Sequence, residues 1–154
     1  MTMKAVTIAN PYPYLIALPT IHPYAKRCEN RTWPTSYRGW LAIHAGKSRQ
    51  WMETWEHVNE IDDRDLHWGA IVAIVRVIEC LHIDQVRAIG QGAPSRGLEW
   101  AKEHMHCSGP YCWLFAPQVI RVEPPIPCSG AQGLWTPDAS VQMRLAAHVQ
   151  EVAT

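Results

Sequence analysis

Charge is sparse in this chain. Asp, Glu, Lys and Arg make up 18% of its 154 residues, the 14 basic and 14 acidic side chains cancel, and the formal net charge is zero. Proteins that grip long duplex nucleic acid by its phosphates carry a large positive excess, so that class is excluded. Long apolar runs are missing too. The longest, Gly69 to Val75, is far too short to span a bilayer. The start, Met-Thr-Met-Lys followed by a strand-like segment, shows no secretory h-region. Five cysteines are present without a CxxC pair; an odd count with no export signal points to reduced thiols in the cytoplasm, with no membrane partner. Phenylalanine occurs once, so aromatic packing and stacking fall to eight tryptophans and five tyrosines.

What is there suffices for one core. A hydrophobic fraction of 47% excludes a disordered chain, and the length suits a single domain over 1–154. The charge balance is uneven along the chain. Between Ile21 and Gln50 six basic residues, Lys26, Arg27, Arg31, Arg38, Lys47 and Arg49, face only Glu29. From Glu53 to Asp65 the sign reverses, with Arg64 alone among six acids. One local basic surface is expected, sized for a nucleoside or a short single strand.

Alternation predicts a strand over Lys4 to Ile8. Asn10-Pro11-Tyr12-Pro13 is a turn feeding a short apolar helix, Tyr14 to Leu18, stopped by Pro19. Glu29 to Trp33 and Gly39 to His44 read as strands. Ser48 is placed to cap a helix carrying Trp51, Trp55 and Val58, with the Trp51/Trp55 pair in the core. Gly69 to Leu81 is expected as a central strand, buried on both faces in its first half. Gly90, Gly92, Pro94 and Gly97 mark a loop, and Leu98 to Met105 a short helix. Tyr111 to Phe115 and Gln118 to Val122 read as closing strands, and the proline- and glycine-rich Glu123 to Gly133 as loop. Thr136 with Pro137 opens a last helix whose apolar stripe is Val141, Leu145 and Val149. Several short strands with a few helices imply α+β with a curled sheet or barrel.

The segment KRCENRTWPTSYRGWLAIHAGK, Lys26 to Lys47, resembles the ASCH family, whose signature G-x-K-x-x-E-x-R stands at the entry to a strand. Lys26, Glu29 and Arg31 match it, while Tyr24 replaces the leading glycine. Other pieces follow in the family's order: Pro11-Tyr12 with Leu15-Ile16, Gly69 to Val72, Gly109 to Trp113, and Gly130 to Trp135. The resemblance implies a PUA-like (ASCH) small β-barrel with peripheral helices and nucleoside or nucleic-acid binding beside the signature. Some small members remove acyl groups from the N4 amine of cytidine, such as N4-acetylcytidine, using a lysine, a threonine three residues on and a distant glutamate. Lys26 is kept here, but Glu29 stands at the threonine position. Glu99 or Glu103 is the expected second carboxylate.

Glu29 and Arg31 are two apart, so on a strand they share a face. Lys26 joins them only from the preceding turn or a bulge. As a catalytic pair, Lys26 stabilises a developing oxyanion and Glu29 or a partner carboxylate serves as base. As a binding set, Glu29 accepts the exocyclic amine of cytosine and Arg31 meets carbonyl or phosphate oxygen. Tyr12, Trp33 and Trp135 are candidates to stack on the base, and His44 and Lys47 to contact substrate. Gly46-Lys47-Ser48 mimics the end of a P-loop, yet Leu41 stands where the first glycine belongs, which excludes ATP. His104, His106, Cys107 and Cys112 match no standard zinc spacing, so neither metal nor cofactor is expected. Two readings stay open: a metal-independent amidohydrolase of N4-acylcytidine, and a non-catalytic reader of RNA or a modified base.

Overall fold

The computed structural model describes residues 2–91 and 96–153; the expected loop markers Gly92 and Pro94 lie outside them. Strands β1 (Lys4–Ile8), β2 (Cys28–Arg31), β3 (Gly39–Ala45), β4 (Ala70–His82), β5 (Tyr111–Phe115), β6 (Ile120–Pro127) and β7 (Leu134–Trp135) form one sheet. Its order is β2-β5-β4-β3-β1-β7, and β6 pairs with β4. β1 runs parallel to β3; the other pairs are antiparallel. The result is an α+β half-barrel with peripheral helices, as the strand count implied.

β4 is the spine. Its first six residues, Ala70 to Val75, are all buried, because one side faces the barrel interior and the other a helical layer. Val72, Val75 and Val77 join Leu41, Ile43, Trp113, Phe115 and, from helix α1 (Tyr12–Ala17), Ile16 inside the curl. Ile71 and Ile74 instead pack with Ile120, Ile126, Val141 and Leu145 under helix α4 (Ala139–Ala153). β-branched residues suit both pleated faces. Helices α2 (Ile83–Arg87) and α3 (Glu99–Lys102) cover the far end of β5.

Several local expectations are corrected. The helix expected from Ser48 is three separate 3₁₀ turns, Met52–Thr54, Val58–Glu60 and Asp63–Asp65. Met52, Trp55 and Val58 are the buried residues: Met52 and Val58 open the first two turns, and Trp55 follows the first with extended backbone. Trp51 is consequently turned outward, 49% exposed rather than in the core. Helix α1 begins two residues earlier than expected, with proline in its first turn, where the missing N–H costs nothing. The last helix is capped by Asp138, whose Oδ1 accepts the Val141 N–H at 2.9 Å; Thr136 Oγ1 instead accepts from Lys4 Nζ at 2.7 Å.

The stretch Glu123 to Pro127, expected as loop, continues β6. Its register against β4 jumps from Ala73–Arg121 to Ile71–Ile126, so Pro124 and Pro125 fall where the pairing is interrupted and no ladder donor is required. α2 was not anticipated. His82 Nδ1 accepts from the Asp84 N–H and Gln85 Oε1 accepts from the His82 N–H, a reciprocal cap without the usual Ser or Thr.

Candidate functional site

The polar set is local in sequence and convergent in space. Lys26 lies ahead of β2, held to α1 by its N–H donating to Leu15 O at 3.0 Å. Its Nζ donates to Cys28 O at 2.7 Å and to Glu29 Oε1 at 3.1 Å. Arg31 Nε donates to the other Glu29 oxygen, Oε2, at 2.8 Å. Lys26 and Glu29 are only 5% and 6% exposed. Burial acts most strongly on Lys26 and opposes its charge; the charge of Glu29, then Cys28, the Glu29 hydrogen bond and Cys107 together outweigh that and hold the ammonium above its ordinary range. Two of three ammonium protons are thus engaged, leaving one without a hydrogen-bond partner among the described residues.

These groups line an open cleft of about 720 Å³, within the size of small-molecule sites. Tyr12, Trp33, Trp51 and Trp55 are its aromatic lining residues. Tyr12 OH shares a hydrogen bond with Thr54 Oγ1 at 2.6 Å, and its ring centroid is 5.6 Å from Lys26 Nζ. Trp33 packs edge-on against buried Trp113, centroids 5.0 Å apart. The cleft opens where β1 and β2 approach without pairing: Thr7 and Ile8 line it from β1, Glu29 to Arg31 from β2. Arg31 Nη2 spans that gap, donating to Thr7 O at 3.0 Å.

Met105, His106 and Ser108 complete the wall. Their loop is clamped by Asn30, whose Nδ2 donates to His106 O at 2.8 Å and whose Oδ1 accepts the Ser108 and Gly109 N–H groups at 3.0 and 2.9 Å. His106 Nε2 lies 3.1 Å from Tyr24 O. Burial pushes the His106 pKa down; the Tyr24 bond opposes this and Lys26 reinforces it. Nothing in the sequence set His106 apart from neighbouring histidines, since its partner is 82 residues away.

Of the sequence candidates, Lys26, Glu29, Arg31, Tyr12 and Trp33 line this cleft, and His44, Lys47, Trp135, Glu99 and Glu103 do not. His44 is buried in a separate network: its Nδ1 meets Thr7 Oγ1 at 3.2 Å, its Nε2 meets Cys128 O at 2.8 Å, and Trp135 Nε1 donates to the same Thr7 oxygen at 3.1 Å. These three side chains brace β1, β3 and β7. Lys47 is exposed and lays its stem beside Gly69. Glu99 and Glu103 are exposed on and just after α3, so Glu29 is the one carboxylate of the described cleft lining.

The basic stretch does not form one surface. Arg27 sits over Trp100 at 3.9 Å, Arg38 pairs with Glu79 at 2.9 Å, and Arg49 lies over Trp68 at 4.8 Å. Among the described residues no three His, Cys, Asp or Glu side chains gather to hold a metal ion. His104 Nε2 accepts the Arg27 N–H at 3.0 Å and Cys112 donates to Asn30, so these potential ligands are committed elsewhere. The five cysteines are free thiols, and no helix among the described residues is long and apolar enough to cross a membrane.

Fold and site together define an α+β half-barrel whose open seam holds a buried ion cluster under aromatic walls. No family model matches the chain, and no curated protein does. Among solved structures the chain is similar to a mutant of the ZmASCH protein from Zymomonas mobilis, at 12% identity over 96% of this chain and 98% of that one, with a TM-score of 0.49.

Proposed function

We propose that the protein is an ASCH-type, PUA-like amidohydrolase that removes the acyl group from N4-acylated cytosine nucleosides without a metal. The observation that carries this reading is the cluster of buried Lys26 and Glu29 with half-buried Arg31 in the lining of a cleft rich in aromatic residues, on the residues that resemble the family's signature. Tyr12 and Trp33 offer flat faces for the base. In hydrolysis, water adds to the acyl carbon, the carbon–nitrogen bond breaks, and a proton goes to N4, giving cytidine and a carboxylic acid. Lys26 uses its spare proton on the carbonyl oxygen as charge develops there. Glu29, gripped by two cations, holds both in position.

That same grip favours a second reading. A carboxylate already accepting from Lys26 and Arg31 is better suited to recognise a base than to remove a proton, which describes a non-catalytic reader of RNA or a modified base.

The two readings part in one assay. Full-length protein treated with EDTA is incubated with N4-acetylcytidine and the ultraviolet shift to cytidine is followed. Turnover that is lost in Lys26→Ala and in the shape-matched Lys26→Met supports hydrolysis. No turnover, or full activity in folded Lys26→Met, refutes it. A reader would show salt-sensitive affinity for short single-stranded RNA that Arg31→Ala abolishes, with no product.

A further inference from the structure

Hydrolysis at this cleft needs a group that takes a proton from water and delivers it to the leaving nitrogen, and the expected second carboxylates are elsewhere. Glu99 and Glu103 are on the outside of α3 and the turn after it, while both Glu29 oxygens face cations. Among the described residues lining the cleft, His106 is the one imidazole. Its Nε2 is 3.1 Å from the Tyr24 carbonyl. A carbonyl only accepts, so Nε2 carries the proton and Nδ1 of the neutral ring keeps its lone pair.

Among the described residues, the buried side-chain nitrogens and oxygens without a hydrogen bond are the indole groups of Trp100 and Trp113; His106 Nδ1 is not among them, and its residue lines the cleft. The ring is also held firmly. Asn30 fixes its backbone carbonyl at 2.8 Å, and the Cys28 thiol donates to that same oxygen at 3.2 Å. His104 lies edge-on with ring centroids 5.6 Å apart, and Trp55 flanks the ring at 6.4 Å. An oriented base whose second nitrogen is fixed by a backbone carbonyl is the arrangement that general acid–base chemistry uses.

We propose that His106 is the proton-transfer residue of the cleft: Nδ1 takes a proton from the attacking water and returns it to N4 of the cytosine as the carbon–nitrogen bond breaks. The cycle balances, since the imidazolium formed in the first step is discharged in the second. Lys26 supports the acyl oxygen and Tyr24 O supports the transient positive charge on the ring. This assignment rests on the amidohydrolase reading.

The groups facing the ring set its pH behaviour. Lys26 approaches from the segment before β2, His104 from the same loop, and Tyr24, whose hydroxyl pairs with Glu60 and whose ring lies edge-on to Trp55, through its carbonyl. Burial is the largest influence and, with Lys26, keeps the ring neutral below its ordinary value of 6.5. Activity should be level near neutrality and fall only on the acid side of that value.

The test uses full-length protein and N4-acetylcytidine, with kcat and KM measured from about pH 5 to about pH 8, the span in which histidine titrates. His106→Gln, which retains a donor for Tyr24 O, should lower kcat by roughly 10²–10⁴-fold, leave KM within a few-fold and erase the acid limb. Added imidazole should restore part of the activity in His106→Ala. Wild-type turnover that persists in His106→Gln with the acid limb intact overturns the assignment alone. Loss of turnover accompanied by loss of cytidine binding and a large fall in Tm shows a structural residue and overturns it too. A wild-type protein that never turns over removes the amidohydrolase reading and this one with it.

Discussion

Lys26 Nζ and Glu29 Oε1 lie 3.1 Å apart with both residues almost sealed from water. Removing one member of such a pair strands an uncompensated charge. Glu29→Ala should therefore destabilise the fold by about 3–5 kcal/mol, read by urea denaturation. Glu29→Gln, which still accepts a hydrogen bond, should lose less. Equal and small losses in both variants would show that the charges are better hydrated than their burial indicates.

Trp33 is 37% exposed and stands over the cleft. Its truncation should spare the fold and weaken the ligand, because stacking on a base is worth about 1–3 kcal/mol. Trp33→Ala is expected to keep the wild-type Tm while its cytidine Kd, measured by calorimetry, rises by roughly 5- to 150-fold. An unchanged Kd would take Trp33 out of the binding wall.

His104 carries a pH prediction. Burial, then the charges of His106, Lys26 and Arg27, lower its pKa from 6.5 to about 4. The fold favours the neutral ring, so the contribution to stability is complete above the unfolded value of 6.5. It is lost as pH falls through the folded value of about 4. His104→Gln keeps an acceptor for the Arg27 N–H and cannot titrate. Its stability curve should be flatter than wild type across that window in denaturant titrations; parallel curves would count against the assignment.

How much of this was legible in the sequence follows from range. Lys26, Glu29 and Arg31 sit within six residues; the resemblance to the family signature picked them out, strand periodicity put Glu29 and Arg31 on one face, and Lys26 could join them only from the turn ahead of the strand. Lys4–Ile8 was visible as an alternating segment, and the long β4 as the most apolar stretch of the chain, rich in β-branched residues. Trp51 misled because positions 51, 55 and 58 fit a 3.6-residue period, whereas the chain breaks into separate 3₁₀ turns with extended backbone at Trp55 and buries Met52 instead. The proline-rich end of β6 was hidden because composition does not reveal which positions of a pair go unbonded. His44 and Trp135 were drawn to the site by the motif around them, but Thr7 holds both in the brace. His106 depends on a carbonyl from a distant segment, and no local pattern encodes that.

Gly130 tests that brace. A Cβ there would meet Thr7 Oγ1 at 2.5 Å and His44 Nδ1 at 2.8 Å, so the Thr7–His44 contact must shift. Gly130→Ala should cost about 1–3 kcal/mol, as overpacking does, seen as a lowered Tm. A wild-type Tm would mean that the loop after β6 yields freely.

Arg31 reaching from β2 to Thr7 on β1 is a single guanidinium doing the work of an absent strand pair. A molecule seated in the gap would act as a removable stave, joining two edges that the backbone leaves apart. Occupancy would then be felt along both strands at once: amide exchange at β1 and β2 would slow together, and the apparent stability of the whole chain would climb with ligand concentration.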